Sequence, residues 1–261
     1  MKKILMALAL GSLLAGCASG PNRNPDDPLE PYNRKMSEFN ETVDRAVLKP
    51  VATAYQEATP ALVQPVATGS QEATPVLVRT GVSNFFANLG DAWSFVNNSL
   101  QLRVEPAVTS FFRFAINSTM GLAGVLDVAS EMGMDRYKQD FGLTLGRWGV
   151  PTGPYVVLPI MGPSTLRDTA ALPVDMWGNP ISVVDPVSAR NSLYALRAVD
   201  ARANLLRAGS VLDSAALDKY SFTREVYLQV RREESGRFKR PASALPSDGS
   251  LPPEPAPGAE R

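Results

Sequence analysis

The whole 261-residue chain holds one thiol, Cys17, and its surroundings decide its chemistry. It follows Lys2 and Lys3, an almost uninterrupted apolar run from Ile4 to Leu14, and the small residues Ala15 and Gly16. A positive start, an apolar run and small residues before a cysteine make a lipobox, in which residues 1–16 are cleaved as a signal peptide and the Cys17 sulfur is acylated. The apolar run is about ten residues where a spanning helix needs roughly 20, so it reads as a removed signal. The bland alternative is a plain secretory signal followed by a chance cysteine. A single cysteine permits neither an internal disulfide nor a cysteine-based metal cluster.

Other chemistry is mostly excluded. Histidine is absent, which removes the commonest general base, the usual catalytic triads and histidine-containing zinc sites together. The chain has no Gly-x-Ser-x-Gly elbow to project a serine from a strained turn, no Ser-x-x-Lys, no glycine-rich phosphate loop and no calcium-binding loop. The acids Glu105, Asp127, Asp168 and Asp175 are scattered, as expected of caps and of solvated or paired side chains. Arg167 with Asp168, and Arg231 with Arg232, read as ordinary surface charges or as contacts for lipid phosphates. Loss of Lys2 and Lys3 from the 26 Lys and Arg leaves 24 against 26 Asp and Glu, so no nucleic-acid footprint is implied. The residues point to a protein that is not an enzyme and needs no cofactor or metal.

The elements that would position these residues are mainly helical. Residues 17–27 are a polar tether behind the lipid. Folding is expected to begin near Asp27, a candidate cap, with Pro28 at the first helical position and Glu30 completing a capping box, or two to three residues later because of Pro31. Leu29, Tyr32, Met36, Phe39, Val43 and Ala46 then trace one helical stripe. Residues 50–79 are a tandem repeat, PVATAYQEATPALVQ followed by PVATGSQEATPVLVR, identical at eleven of fifteen positions. Two units are too few for a solenoid, and Pro50, Pro60, Pro65 and Pro75 are expected to break any long helix, so a local duplication in a connection is the simpler reading. Helical spacing resumes with Phe85, Phe86, Leu89, Trp93, Val96 and Leu100, and again with Val108, Phe111, Phe112, Ala115 and Ile116. Asp185 and Pro186 look like a cap and a first-turn proline before a helix that ends near Gly209, and 220–232 form a last amphipathic helix. Residues 28–240 therefore make a single mainly α domain, and 241–261 a Pro-rich tail expected to be disordered. The exception is 146–163, GRWGVPTGPYVVLPIMGP, which fits neither a helix nor a central strand and must be buried in the protein or face lipid. No mature segment is long and apolar enough to span a membrane, and the lipid, the amphipathic helices and this loop together suggest a body lying at a membrane interface.

Several ordered motifs resemble one family. DPLEPYNR at 27–34, FN at 39–40, NFFANL at 84–89, NSLQ at 98–101, RFAIN at 113–117 and GVLDVA at 124–129 are similar to the MlaA (VacJ) lipoproteins. FGLTLG at 141–146, GPYVVLP at 153–159, GPSTLRD at 162–168 and REVYLQVR at 224–231 extend the resemblance to about Arg231. The chain departs from that pattern in carrying two copies of the repeat unit and in lacking a histidine before Phe141. The resemblance implies a ring-like helical body embedded in one leaflet of the outer membrane, anchored through Cys17 at the periplasmic face, as the absence of an aspartate after Cys17 also favours. It implies a channel through which misplaced phospholipids leave the outer leaflet, with a trimeric porin and a soluble periplasmic lipid carrier as partners. Phe39 and Asn40 would form a hinge or channel element, and Gly153, Pro154, Tyr155 and Pro159 a lipid-facing loop. The alternative is a structural lipoprotein that scaffolds porins or the envelope without moving lipid.

Overall fold

The computed structural model describes residues 24–63 and 74–236. Cys17, the tether before residue 24, the middle of the repeat and the Pro-rich tail lie outside the described residues. The chain is mainly helical, as expected, with one short β-hairpin.

Helix α1 spans Glu30–Val43 and runs through a π turn, Asp44–Leu48, into α2, Lys49–Val63. Pro50 does not end the helix. A proline in an α-helix lacks the N–H its fourth predecessor needs and collides with that carbonyl; the wider π turn just before Pro50, with the Lys49 N–H reaching Asp44 O, carries the chain past it. Pro60 likewise lies within α2. Helix α3, Thr74–Leu100, begins beside Pro75, where a missing N–H costs nothing, and a tight turn joins it to α4, Val104–Thr119. Short helices α5 (Val128–Glu131) and α6 (Phe141–Arg147) are capped by Asp127 and Asp140, whose carboxylates accept the Ser130 and Leu143 amides.

The unassigned 146–163 segment resolves into the end of α6, a connection, and a hairpin of β1 (Tyr155–Leu158) and β2 (Gly162–Thr165), paired antiparallel with Tyr155 opposite Thr165. Its apolar residues alternate inward, with Tyr155 and Val157 buried. Pro163 is tolerated because a two-stranded sheet has only edges. Helix α7 (Leu166–Gly178) leads through a 3-10 turn at Pro180–Val183 to α8 (Val187–Asn204), α9 (Leu206–Ala215) and α10 (Lys219–Gly236). Asp185 does not cap α8: the residue before that helix is Pro186, with no side-chain cap, and the Asp185–Pro186 bond is cis. The helix also stops sooner than expected, at Asn204, and Gly209 lies inside α9.

Asp27 is likewise no cap. Leu29 precedes α1 without a side-chain bond, while Asp27 is buried and accepts hydrogen bonds from Asn33 Nδ2 at 2.8 Å, Arg224 at 2.9 Å and the Tyr220 hydroxyl. It thereby ties the chain's entry to α10. The apolar cluster above it is small: Tyr155, Val157, Tyr220 and Leu228, with Met36 and Tyr227 against it.

Candidate functional site

Among the described residues, 19 buried side chains are polar or charged and 12 are apolar, the reverse of an ordinary soluble core. The inversion is sharpest in the α3–α4 hairpin. Asn88, Asp91, Ser94 and Asn98 on α3, and Gln101 in the turn after it, recur at spacings of three and four and are buried; Ser110, Arg113 and Asn117 do the same on α4. These faces pack on each other and on the following segment, while Phe95, Val96, Leu100, Val108, Phe111 and Phe112 point outward. Phe111 and Phe112 are 46% and 48% exposed. The belt continues through Met120, Leu122, Val125 and Leu126. The stripes read from spacing are thus split: Phe86 is buried and Phe85, Leu89 and Trp93 are half-buried, as a core stripe should be, while Val96, Leu100, Val108, Phe111 and Phe112 form an exterior.

Most polar groups of the buried face satisfy one another, with Asn88 Oδ1 and Gln101 Oε1 buried without a partner. Arg113, 1% exposed, donates to both oxygens of Asp127 (2.9 and 3.0 Å), to Asp91 at 3.3 Å and to the Met134 carbonyl. Arg136 closes the set on Asp91 at 3.1 Å and Asp127 at 3.3 Å, so two cations balance two carboxylates. Asn117 donates to Asp127 and accepts the Ala129 amide. Burial works against a charged Asp127, but hydrogen bonds from Ser130 and Asn117 and the Arg113 charge outweigh it and hold the carboxyl at about 2. Replacing such a network with unpaired charge is costly, whereas lipid around the outer face costs nothing. No helix among the described residues is long and apolar enough to cross a membrane.

A second arrangement fixes the hairpin. The Asn33 amide donates to Tyr155 O (3.0 Å) and accepts from Val157 N (2.8 Å); Asn40 donates to Leu158 O (2.8 Å) and accepts from Ile160 N (2.7 Å). Asn33 thus bonds the open edge of β1, and Asn40, seven residues or about 10.5 Å further along α1, bonds the turn that follows it, from Leu158 to Ile160. Asn40 also holds Ile160, a β-branched residue with φ 66° at the hairpin turn, in a conformation such residues avoid.

The expected site residues separate. Asn40 and Pro159 come together, the asparagine gripping the backbone on both sides of the proline, while Phe39 next to it is 48% exposed. Gly153, at φ 69°, and Pro154, whose carbonyl accepts the Leu166 amide, lie at the other end of β1. Tyr155 is not lipid-facing: it is 1% exposed, its ring stacked edge-on against Tyr220 and Tyr227, because the period of a strand turns it inward. Burial pushes its hydroxyl up to about 12. Arg167 and Arg231 are not surface charges either. Arg167 is buried against Asp168, and Arg231 bridges Asp140 (2.8 Å) and Asp168 (2.9 Å) beside a 240 Å³ cavity. Arg232 is exposed and bonded to Asp26.

A larger groove, 560 Å³, opens between the end of α8, α9 and the start of α10. Ala208, Val211, Leu212, Ala216 and Phe222 make its apolar wall, and Asn204 and Arg207 its polar part. Its wall is almost wholly apolar, with Asn204 turned to Ser83 and Asp200, and its size suits an apolar chain. Neither the groove nor the inverted hairpin was identified from sequence, although the polar stripe through Asn88, Asp91, Ser94, Asn98 and Gln101 was a readable signal.

A family model described as MlaA lipoprotein matches residues 25–64 and 61–234, and the match breaks inside the tandem repeat. The chain is 36% identical to the intermembrane phospholipid transport system lipoprotein MlaA of Shigella flexneri over 243 residues, covering 88% of this chain and 87% of that one. It is 33% identical to the protein of that description from Haemophilus influenzae over 266 residues, covering 95% and 96%. A solved structure from work on the structural basis for maintenance of bacterial outer membrane lipid asymmetry superposes with a TM-score of 0.64 at 32% identity, covering 82% of this chain and all of that one.

Proposed function

Because the chain belongs to the MlaA lipoprotein family, we propose that it is the outer-membrane lipoprotein of an intermembrane phospholipid transport system. In this reading it removes phospholipids that have strayed into the outer leaflet and passes them toward the periplasm, keeping the two leaflets different. The observation that carries the proposal is the α3–α4 hairpin, with its polar network inside and Phe111, Phe112 and their neighbours outside. Such an element is at rest in lipid and strained in water.

The lipid on Cys17 holds the body at the periplasmic face of the membrane, and the belt sets it into the inner leaflet as a ring-like unit. A moving phospholipid carries a charged head and apolar tails together, so its passage needs both kinds of wall. The groove lined by Val211, Leu212 and Phe222 supplies the apolar wall, and Arg207 beside them a charge for the head. Phe39 and Asn40 lie about one helical turn before the π turn, where α1 can bend, and Asn40 grips the hairpin turn; movement there would be felt at Pro159. A trimeric porin is the partner within the membrane and a soluble lipid carrier the acceptor outside it. The chain itself breaks no bond in this scheme, and direction comes from its partners.

Surface labelling of aminophospholipid with an impermeant reagent tests the reading in a strain lacking the chain. Labelling should rise and return to normal on complementation. Unchanged labelling would leave the protein a scaffold.

A further inference from the structure

The groove between the end of α8, α9 and the start of α10 carries an unmatched charge. Along α9, Arg207 and Val211 are four residues apart, as are Ala208 and Leu212, so the four share one face, and all line the groove together with Ala216 and Phe222. The other side of α9 is committed elsewhere. Gly209 faces Arg202, whose guanidinium nitrogens lie 3.6 and 3.8 Å from where a Cβ would stand, and Asp213 pairs with Lys219. The acids nearby are also engaged: Asp44 accepts from Arg202 through both oxygens, at 2.6 and 2.7 Å, and Asp200 accepts from Ser83 and Asn204. Arg207 differs from them. It is exposed, and its guanidinium forms no hydrogen bond or ion pair among the described residues.

An exposed apolar wall beside an unmatched cation fits an amphiphile with an anionic head; Val211 is 60% and Phe222 51% exposed. From Arg207 to its end α9 advances about 12 Å, against the roughly 15 Å that one chain spans in half of a bilayer's hydrocarbon core. The 560 Å³ of the groove is the space of one drug-sized molecule, and a diacyl phospholipid exceeds it. We propose that the groove is a site for a single-chain phosphate amphiphile, a lysophospholipid, with its phosphate on Arg207 and its chain over Val211, Leu212 and Phe222. A guanidinium meets a phosphate through two parallel N–H···O bonds. A fatty-acid carboxyl in apolar surroundings rises in pKa and gives up its charge, whereas a phosphodiester keeps it. The inference rests on the reading that the body meets lipid, and adds a substrate class to it.

The test places the purified full-length lipidated protein in phosphatidylcholine vesicles containing lysophosphatidylglycerol with a photoreactive diazirine at the end of its chain, and maps the adducts by peptide mass spectrometry. Adducts should fall within residues 204–222, and unlabelled lysophosphatidylglycerol should compete about tenfold better, mole for mole in the vesicle, than phosphatidylglycerol or palmitate. Arg207→Gln should lose about fivefold in labelling, the share of one arginine at a lipid surface. Val211→Glu should lose nearly all of it, and since both positions are exposed the melting temperature should stay that of wild type. Arg197→Gln, at an exposed position on α8, should label as wild type does. Equal competition by phosphatidylglycerol or palmitate, or undiminished labelling of Arg207→Gln, overturns the proposal. So does labelling that appears only once residues 237–261 are removed, which would make the chain's own tail the occupant. A diazirine on the phosphatidylcholine should separately label the 108–126 belt. A labelled belt with an unlabelled groove overturns the lysophospholipid site alone, and an unlabelled belt overturns the reading that the body meets lipid.

Discussion

Arg113 is the residue on which the hairpin's interior depends. Its guanidinium is buried between Asp91 and Asp127, so Arg113→Leu leaves carboxylates in the interior with Arg136 alone. Loss of about 3–5 kcal/mol is expected in denaturant unfolding, the cost of an unpaired buried charge. Asp127 permits a sharper test. Its folded pKa of about 2 lies below the roughly 3.9 of an unfolded aspartate, so its contribution is present in full above pH 4 and lost as pH falls through 2. The advantage of wild type over Asp127→Asn should be about 2 kcal/mol near neutrality and vanish across that window, as read by unfolding at each pH. Tyr155→Asp, by contrast, would place a carboxylate beside Asp27 and Tyr220 and should prevent folding. Little of this was legible in the residues singly. Asp127 and Asp27 look like any acid ahead of a helix, and only the fold, which brings Arg113 to one and Arg224 to the other, makes one an anchor of the hairpin and the other a tie between the chain's ends.

Elements were easier to read than their faces. The spacings over 85–100 and 108–116 predicted α3 and α4 correctly, because hydrophobic period reports helix in any solvent. Which side packs is a different question, and the assumption that apolar residues go inside fails where Asn98, Arg113 and Asn117 are buried and Phe111 and Phe112 exposed. Pro50 misled for a local reason: a π turn removes the conflict that a proline creates in an α-helix. The hairpin was hidden by four-residue strands too short to alternate visibly, and by the fact that half of its edge bonding comes from Asn33 and Asn40, over a hundred residues away. At this scale Asn40→Ala should free the Leu158 carbonyl and Ile160 amide. Hydrogen exchange at Ile160 should accelerate at least tenfold while the Asn33-bonded Val157 amide stays protected, with a global cost of about 1 kcal/mol.

Over the whole molecule the arrangement is of a body whose interior is held by polar pairs and whose exterior is greasy where the α3–α4 hairpin faces out. In the proposed function such a body, tethered through Cys17, would sit within the leaflet, and the apolar groove near Phe222 would then lie among phospholipids. The account depends on the outward aromatic residues more than on the anchor, so they are the place to test it. Lipid A acylation, which rises when phospholipid reaches the outer leaflet, should be measured in a strain lacking the chain and complemented with wild type or with Phe111→Glu/Phe112→Glu. Wild type should restore the low level, and the double variant, though exported and lipidated, should not. Full restoration by the charged variant would show that the outward aromatic residues do not need to face lipid.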